Sequence, residues 1–442
     1  MRPYTPPIPP VRNPLIATSA GTLALLGASA AQAAQQTVAA SAISAGDTAW
    51  MLASTALVLM MTLPGLAFFY GGLVRKKNIL GTMTQVFIVA AVTSVLWFVA
   101  GYTIAFGSGA PWSGFFDNGF RLQFMPVGDR VPVHPMAPHI PAPAFALFEA
   151  AFAIITAALI VGAFAERVKF SIAAVFCGLW SLAVYPPVAH WVWHPEGWLY
   201  DMGVRDFAGG MVVHVSAGAA GLACALVAGP RQGWGREPMV PSNLAYMLIG
   251  AGLLWIGWFG FNGGSAFEAN GAAALAMVNT QIAAALAAVV FVLCEWIQKG
   301  QPSLVGMSTG AVAGLVAITP AAGFVSVDAA YLFGAVGGLV AFASLAWLKP
   351  LINVDDSLDV FAIHGVVGIA GSLLTPFFID ATLAGGAGKP QAEAIGVVAV
   401  LGYSFVVSWL LMKGLHWFAG ARVRRGDEAD GLDLSQHGER IE

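Results

Sequence analysis

Apolar residues fill the chain in long unbroken runs, and polar residues collect in the short intervals between them. Eleven of these runs read as helices crossing a bilayer, whose hydrocarbon core of ~30 Å needs roughly 20 apolar residues. Five lie near 50–74, 79–107, 143–165, 170–190 and 207–229. Six more lie near 243–261, 271–297, 303–318, 327–348, 357–379 and 392–418. The intervals are short except 108–142, which is rich in proline, glycine and aromatic residues and is expected to cap one face. The pattern predicts an all-α integral membrane protein with eleven transmembrane helices.

The basic residues between the runs give the orientation. Arg75, Lys76 and Lys77, then Arg167 and Lys169, Arg231 and Arg236, Lys299, Lys349, and finally Arg422, Arg424 and Arg425 fall at one set of ends. The opposite intervals hold only Arg121, Arg130, Arg205 and Lys389. Positive charge is retained on the cytoplasmic side, which predicts the N-terminus outside and the C-terminus inside.

Two landmarks recur in the same order. His214-x-x-x-Gly218-x-x-Gly221 is matched by His364-x-x-x-Gly368-x-x-Gly371, and Gly65–Gly72 is matched by Gly257–Gly264, with Phe69 answering to Phe261. Such self-similarity indicates an internal duplication. The organisation expected is repeat one over 49–229, repeat two over 243–379 and a last helix over 392–420, within a transmembrane domain of 34–420 and followed by a tail of 421–442. Because each repeat has five spans, the second enters the membrane in the opposite sense. Inverted repeats place a shared site near the midplane between the halves, so His214 and His364 are expected to meet there. The glycines of the two histidine spans allow those helices to approach closely.

Composition agrees with the pattern: 58% of residues are hydrophobic and 10% charged, with a mean hydropathy of +0.76. A soluble domain carries about 25% charged residues. The net charge of −3 includes no basic stretch suited to nucleic acid. Cys177, Cys224 and Cys294 lie in apolar runs and read as buried thiols rather than a disulfide framework. At the N-terminus, Arg2 and Arg12 precede an apolar run at 20–30 and the small-residue site Ala31-Gln32-Ala33, so residues 1–33 read as a signal peptide. The alternative is an uncleaved first span.

Ionisable groups in such spans usually mark a pathway or a site. His214 follows Asp206 by eight residues, about 12 Å of helix rise, which puts it near mid-membrane if Asp206 stands at one surface. A neutral imidazole has one donor and one acceptor, so paired rings can pass a proton or hold a small polar solute. The competing reading has each ring capping a neighbouring backbone group. Asp206 reads equally as a helix N-cap or as a cation-attracting group. Asp359, beside Asp355 and Asp356, reads as structural. Phe148, Phe152, Trp191, Trp193, Trp258, Phe259 and Phe261 gather at the outward ends of several spans, with Ser265 just beyond. They suit interfacial anchoring, or a cation held by ring faces at about 0.5–2 kcal/mol per contact. Glu149 among them would raise the local cation concentration or snorkel outward. His190 and His194, at i, i+4 beside Pro195, lack a third ligand and are expected at the surface; His134 and His139 lie in the proline-rich interval. No metal or cofactor is expected, and no phosphate loop, His-Glu-x-x-His or nucleophile elbow is present.

Asp206-Phe-Ala-Gly-Gly with His214, Gly257–Ser265, Asp355–Gly365 and Gly162-Ala-Phe-Ala-Glu166-Arg167 together resemble the ammonium transporter (Amt/Mep/Rh) family, in its bacterial Amt branch. The tail from Gly431 to Glu439 resembles the family's cytoplasmic C-terminal segment. The resemblance implies a homotrimer in the bacterial inner membrane, with one narrow pore per protomer. It implies that Phe152 and Phe261 close the outer mouth, and that Phe152, Trp193 and Ser265 line an external ammonium site with Asp206 nearby. It further implies that Trp258 lines the upper pore, and that His214 and His364 are its twin histidines. Glu149 stands where some relatives carry glutamine. The implied function is transport of ammonium or ammonia for nitrogen uptake, with deprotonation before an apolar pore and a PII-type regulatory protein as partner. An ammonium sensor and an Rh-like neutral gas channel are the alternatives, and a membrane enzyme ranks last for want of a nucleophile–base pair in the spans.

Overall fold

The computed structural model describes residues 36–114, 122 and 124–441; the expected signal peptide, 1–33, lies outside them. Among the described residues, ten helices are long and apolar enough to cross a membrane. In chain order, including one shorter apolar helix, they are α1 (Ala45–Leu73), α2 (Lys76–Phe106), α3 (Ala142–Phe164), α4 (Phe170–Met202), α5 (Gly210–Ala228), α6 (Leu244–Gly264), α7 (Gly271–Lys299), α8 (Leu304–Ile318), α9 (Val327–Ile352), α10 (Phe361–Phe378) and α11 (Pro390–Ala419). The shorter one is α8. Two short helices, α12 (Arg425–Asp430) and α13 (Leu432–His437), follow.

Local chemistry sets many of the ends. Asn243, Asn270, Ser303 and Ser326 cap the N-termini of α6 to α9 with side-chain oxygens, each satisfying N–H groups that have no partner within the helix. Pro141 opens α3. α4 runs past its expected end near His190: it is offset at Val184, ahead of Pro186 and Pro187, then helical again over Tyr185–Trp193. One feature lies outside the all-helical expectation. In the long interval, β2 (Arg130–Pro132) pairs antiparallel with β1 (Thr37–Ala39), Val131 opposite Val38.

Packing follows the two repeated landmarks. A Cβ on Gly257 would lie 2.4 Å from Met61 Cβ, one on Gly65 3.2 Å from Leu253 Cβ, and one on Gly72 2.4 Å from the Met247 nitrogen. As numbers rise along α1 through Met61, Gly65 and Gly72, their partners on α6 fall through Gly257, Leu253 and Met247, so α1 and α6 run antiparallel with their backbones in near contact. α5 and α10 do the same: Gly218 meets Gly365, and Gly368 meets Gly210 and His214. Only small residues permit such approach. α3 is buried along almost its whole length, whereas large apolar side chains on the outer helices, such as Phe87, Leu293, Val398 and Leu410, remain exposed.

At the end marked by the basic residues, buried ion pairs tie the helix ends together. Arg231 meets Asp355 at 2.8 Å and Glu166 at 3.5 Å. Arg167, fully buried, donates to the carbonyls of Gly229, Ala163 and Asp355 and to Ser357 Oγ. Asp359, expected to be structural, pairs with Lys349. The tail docks here: Gly81 N–H donates to Asp433, Leu432 N–H to Asn78, and Arg422 pairs with Glu428.

Candidate functional site

The two histidines lie on matched irregular turns. Gly210–Val215 and Phe361–Val366 are π-helical, with His214 N–H reaching back to the Gly209 carbonyl. A π turn widens the helix and is frequent at functional sites. Asp206 builds the first of these turns. Its Oδ1 accepts from Gly209 and Gly210 N–H at 2.9 and 2.7 Å, and its Oδ2 from Met211 and Val212 N–H at 2.8 and 3.1 Å. Burial pushes this carboxyl above its ordinary value, against the pull of the four N–H groups. Of the two readings of Asp206, the capping one is realised in hydrogen bonds, made from three residues ahead of the N-cap residue Gly209, and Asp206 also borders the outer cavity.

His214 Nδ1 and His364 Nδ1 stand 3.3 Å apart, with both rings buried. Two facing nitrogens need one proton between them, so one ring donates and the other accepts. Trp258 stacks over His214 at 5.4 Å, its position fixed by a hydrogen bond to Thr319. Phe261 lies 6.1 Å from His214 and stacks on Phe152 with 4.1 Å between centroids and 23° between planes. Trp193 meets Phe152 edge-on at 6.0 Å, and its indole N–H donates to the Asp206 carbonyl.

Three cavities lie in sequence along these side chains. An outer one of about 290 Å³ is bordered by Phe152, Trp193, Asp206, Ser265 and Glu149. A central one of about 10 Å³ is bordered by Phe261, Trp258, His214 and His364, room for roughly one water centre. An inner one of about 310 Å³ shares His364, Phe69, Tyr70 and Val312 with the central one. The Phe152–Phe261 stack separates outer from central.

Phe152, Trp193, Asp206 and Ser265 border the outer cavity, Phe261, Trp258, His214 and His364 the central one, and His364 also the inner one; Phe148, Trp191 and Phe259 border none of the three. Several other expectations are corrected. His190 is fully buried, with Nδ1 2.8 Å from the Ala105 carbonyl and Nε2 2.7 Å from that of Ala110, and His194 is buried against it at 4.5 Å. They are not surface histidines, because α4 continues beyond His190 and the end of α2 with the start of the long interval covers its ring. His134 packs flat on Phe145 at 4.4 Å. Glu149 does not snorkel; it is 4% exposed. Trp191 donates to the Trp112 carbonyl and faces away from the outer cavity's border.

Sequence reasoning passed over Leu66, Phe69 and Tyr70, which border the central cavity. The signal was present in the duplication: Leu66 answers to Trp258 and Phe69 to Phe261. Phe69 borders the central and inner cavities, whereas Phe261, its match in the repeated motif, borders the central one beside Phe152.

Residues 49–441 match the model of the Ammonium Transporter Family. The chain belongs to this family. The ammonium transporter of Aquifex aeolicus is 44% identical over 402 residues, covering 89% of this chain and 93% of that one. The ammonium transporter of Bacillus subtilis is 40% identical over 410 residues, covering 89% and 98%. The crystal structure of Candida albicans Mep2 superposes with a TM-score of 0.79 at 32% identity, covering 87% of this chain and 88% of that chain.

Proposed function

We infer that the protein is an ammonium transporter of the cell membrane that moves ammonia through the central cavity after ammonium has lost a proton outside it. The observation that carries this reading is the run of cavities: two wide ones separated by an apolar constriction of about 10 Å³ holding two imidazoles. Removing an ion from water costs several kcal/mol even after relaxation. A constriction with room for about one water cannot keep an ion hydrated. Ammonium escapes that cost by giving up a proton; potassium has none to give.

In this reading Phe152, Trp193 and Ser265 hold the cation by ring faces and a hydroxyl, and Asp206 supports the turn beneath them. Phe152 and Phe261 form the outer gate and Trp258 lines the pore. His214 and His364 relay the proton across their 3.3 Å contact. The whole is not an enzyme: transport changes only the protonation of its cargo.

The antiparallel pairing of α1 with α6 and of α5 with α10 supports two inverted repeats, 49–229 and 243–379, completed by α11. With α8 counted as a span this gives eleven crossings, with the N-terminus outside and the C-terminus in the cytoplasm. The exposed apolar side chains of α7 and α11 suit lipid and a homotrimer. The docked tail, with α12 and α13, offers the surface for a PII-type regulator in a bacterial inner membrane, after removal of residues 1–33.

The decisive experiment is methylammonium uptake into proteoliposomes by the wild type and by the double variant His214→Ala, His364→Ala. Loss of uptake supports the relay, and unchanged uptake overturns it.

A further inference from the structure

The outer cavity is bordered by a carboxyl group that no hydrogen bond or ion pair among the described residues engages. Glu149 lies on α3 one turn before Phe152, on the same side of the helix by its i, i+3 spacing. It is 4% exposed and borders the outer cavity together with Phe152, Trp193 and Ser265. Its Oε2 is buried without a hydrogen-bond partner, and among the described residues the carboxyl makes no hydrogen bond or ion pair. The other carboxylate of the cavity differs in kind: both Asp206 oxygens are taken up by backbone N–H groups. A buried carboxylate left without donors is costly, and a cation with four N–H donors arriving in the cavity would supply them.

We propose that the Glu149 carboxylate is the base that takes the proton from ammonium at the outer gate. This rests on the transport reading above and names the group that performs its first step. One N–H bond of ammonium breaks and an O–H bond forms on Glu149. The bonding pair stays on nitrogen, which leaves as ammonia, and the charges of cation and carboxylate cancel. The carboxyl is reset by giving its proton to a water of the outer cavity, which leaves as hydronium. The groups that face Glu149 tune but do not replace it. Tyr102 and His134 pack on Phe145, one turn before Glu149, and Arg205 and Asp206 border the same cavity.

The test uses full-length protein in liposomes, with ammonium flux corrected for leak through empty vesicles. Wild-type flux should fall as the outer pH is lowered, because a protonated carboxyl cannot accept. Glu149→Gln should reduce flux about 100-fold, the lower bound for a positioned general base, and abolish that acid limb. Glu149→Asp should restore part of both. Wild-type rate and pH profile in Glu149→Gln would overturn the proposal while leaving transport itself intact. Absence of flux in the wild type would instead refute the transport reading. If Glu149→Gln fails to reconstitute, infrared difference spectra of the wild type decide. Ammonium addition should produce a protonated-carboxyl band, and a spectrum without one counts against Glu149.

Discussion

Gly218→Ala is the sharpest probe of how the two histidines are brought together. A Cβ at this position would lie 2.3 Å from the Gly365 nitrogen and 2.4 Å from its Cα. These are backbone atoms, so no side chain can swing aside. Comfortable contact needs roughly 3.5 Å, so α5 and α10 must part by about 1 Å. Gly218 is one turn from His214 and Gly365 is next to His364, so most of that displacement reaches the 3.3 Å contact between the rings. At about 4 Å a hydrogen bond is lost. Alanine favours a helix over glycine by ~1 kcal/mol, whereas overpacking costs about 1–3 kcal/mol, so the clash wins. The expected result is a less stable protein and slower methylammonium uptake in proteoliposomes. Gly402→Ala on α11 is the control: nothing lies within 4 Å of its Cβ, and uptake and thermal midpoint should hold or rise. If Gly218→Ala matches Gly402→Ala in both, the helices are not held apart by backbone contact, and the reasoning fails.

Other outcomes follow from the end where the basic residues gather. Burial raises Asp355, but its hydrogen bonds and attraction to Arg231, with Arg167, outweigh this and hold the carboxyl below its ordinary value. The stability it contributes is present above the ordinary carboxylate range and lost as pH falls through its depressed value. Asp355→Asn should therefore destabilise detergent-purified protein at neutral pH by roughly 3–5 kcal/mol, the cost of breaking a buried pair, and flatten the acid end of the thermal-midpoint curve. Asp356 is opposite in sign. Burial first, then Asp359, raises it to about 6, so its contribution is lost as pH rises through that value and Asp356→Asn should cost least above pH ~6. Equal pH responses of the two variants would contradict this. A Cβ on Gly81 would lie 2.8 Å from Leu432 Cβ. Gly81→Ala should lift the tail and speed hydrogen exchange over 425–437, with the spans unchanged; tail exchange at the wild-type rate would argue against this docking.

The membrane class and the approximate positions of ten spans were legible from the sequence because lipid imposes length and apolarity on each helix independently of its neighbours. The histidine pair was legible for a related reason. Matched motifs are a property of chain order, and they singled out the two rings that stand 3.3 Å apart. What the chain order left open depends on contacts between distant segments. Asp206 had two equal readings until its oxygens were seen to take four N–H groups of the turn that carries His214. His190 and His194 looked superficial until α4 proved longer than its apolar run. Glu149 had a choice between solvent and interior that α3, packed on nearly all sides, settled by leaving its carboxyl at the wall of the outer cavity. Hydropathy places a helix in the bilayer; only packing decides which of its faces meets protein, lipid or an open passage, because that choice is made by neighbours far away in the chain.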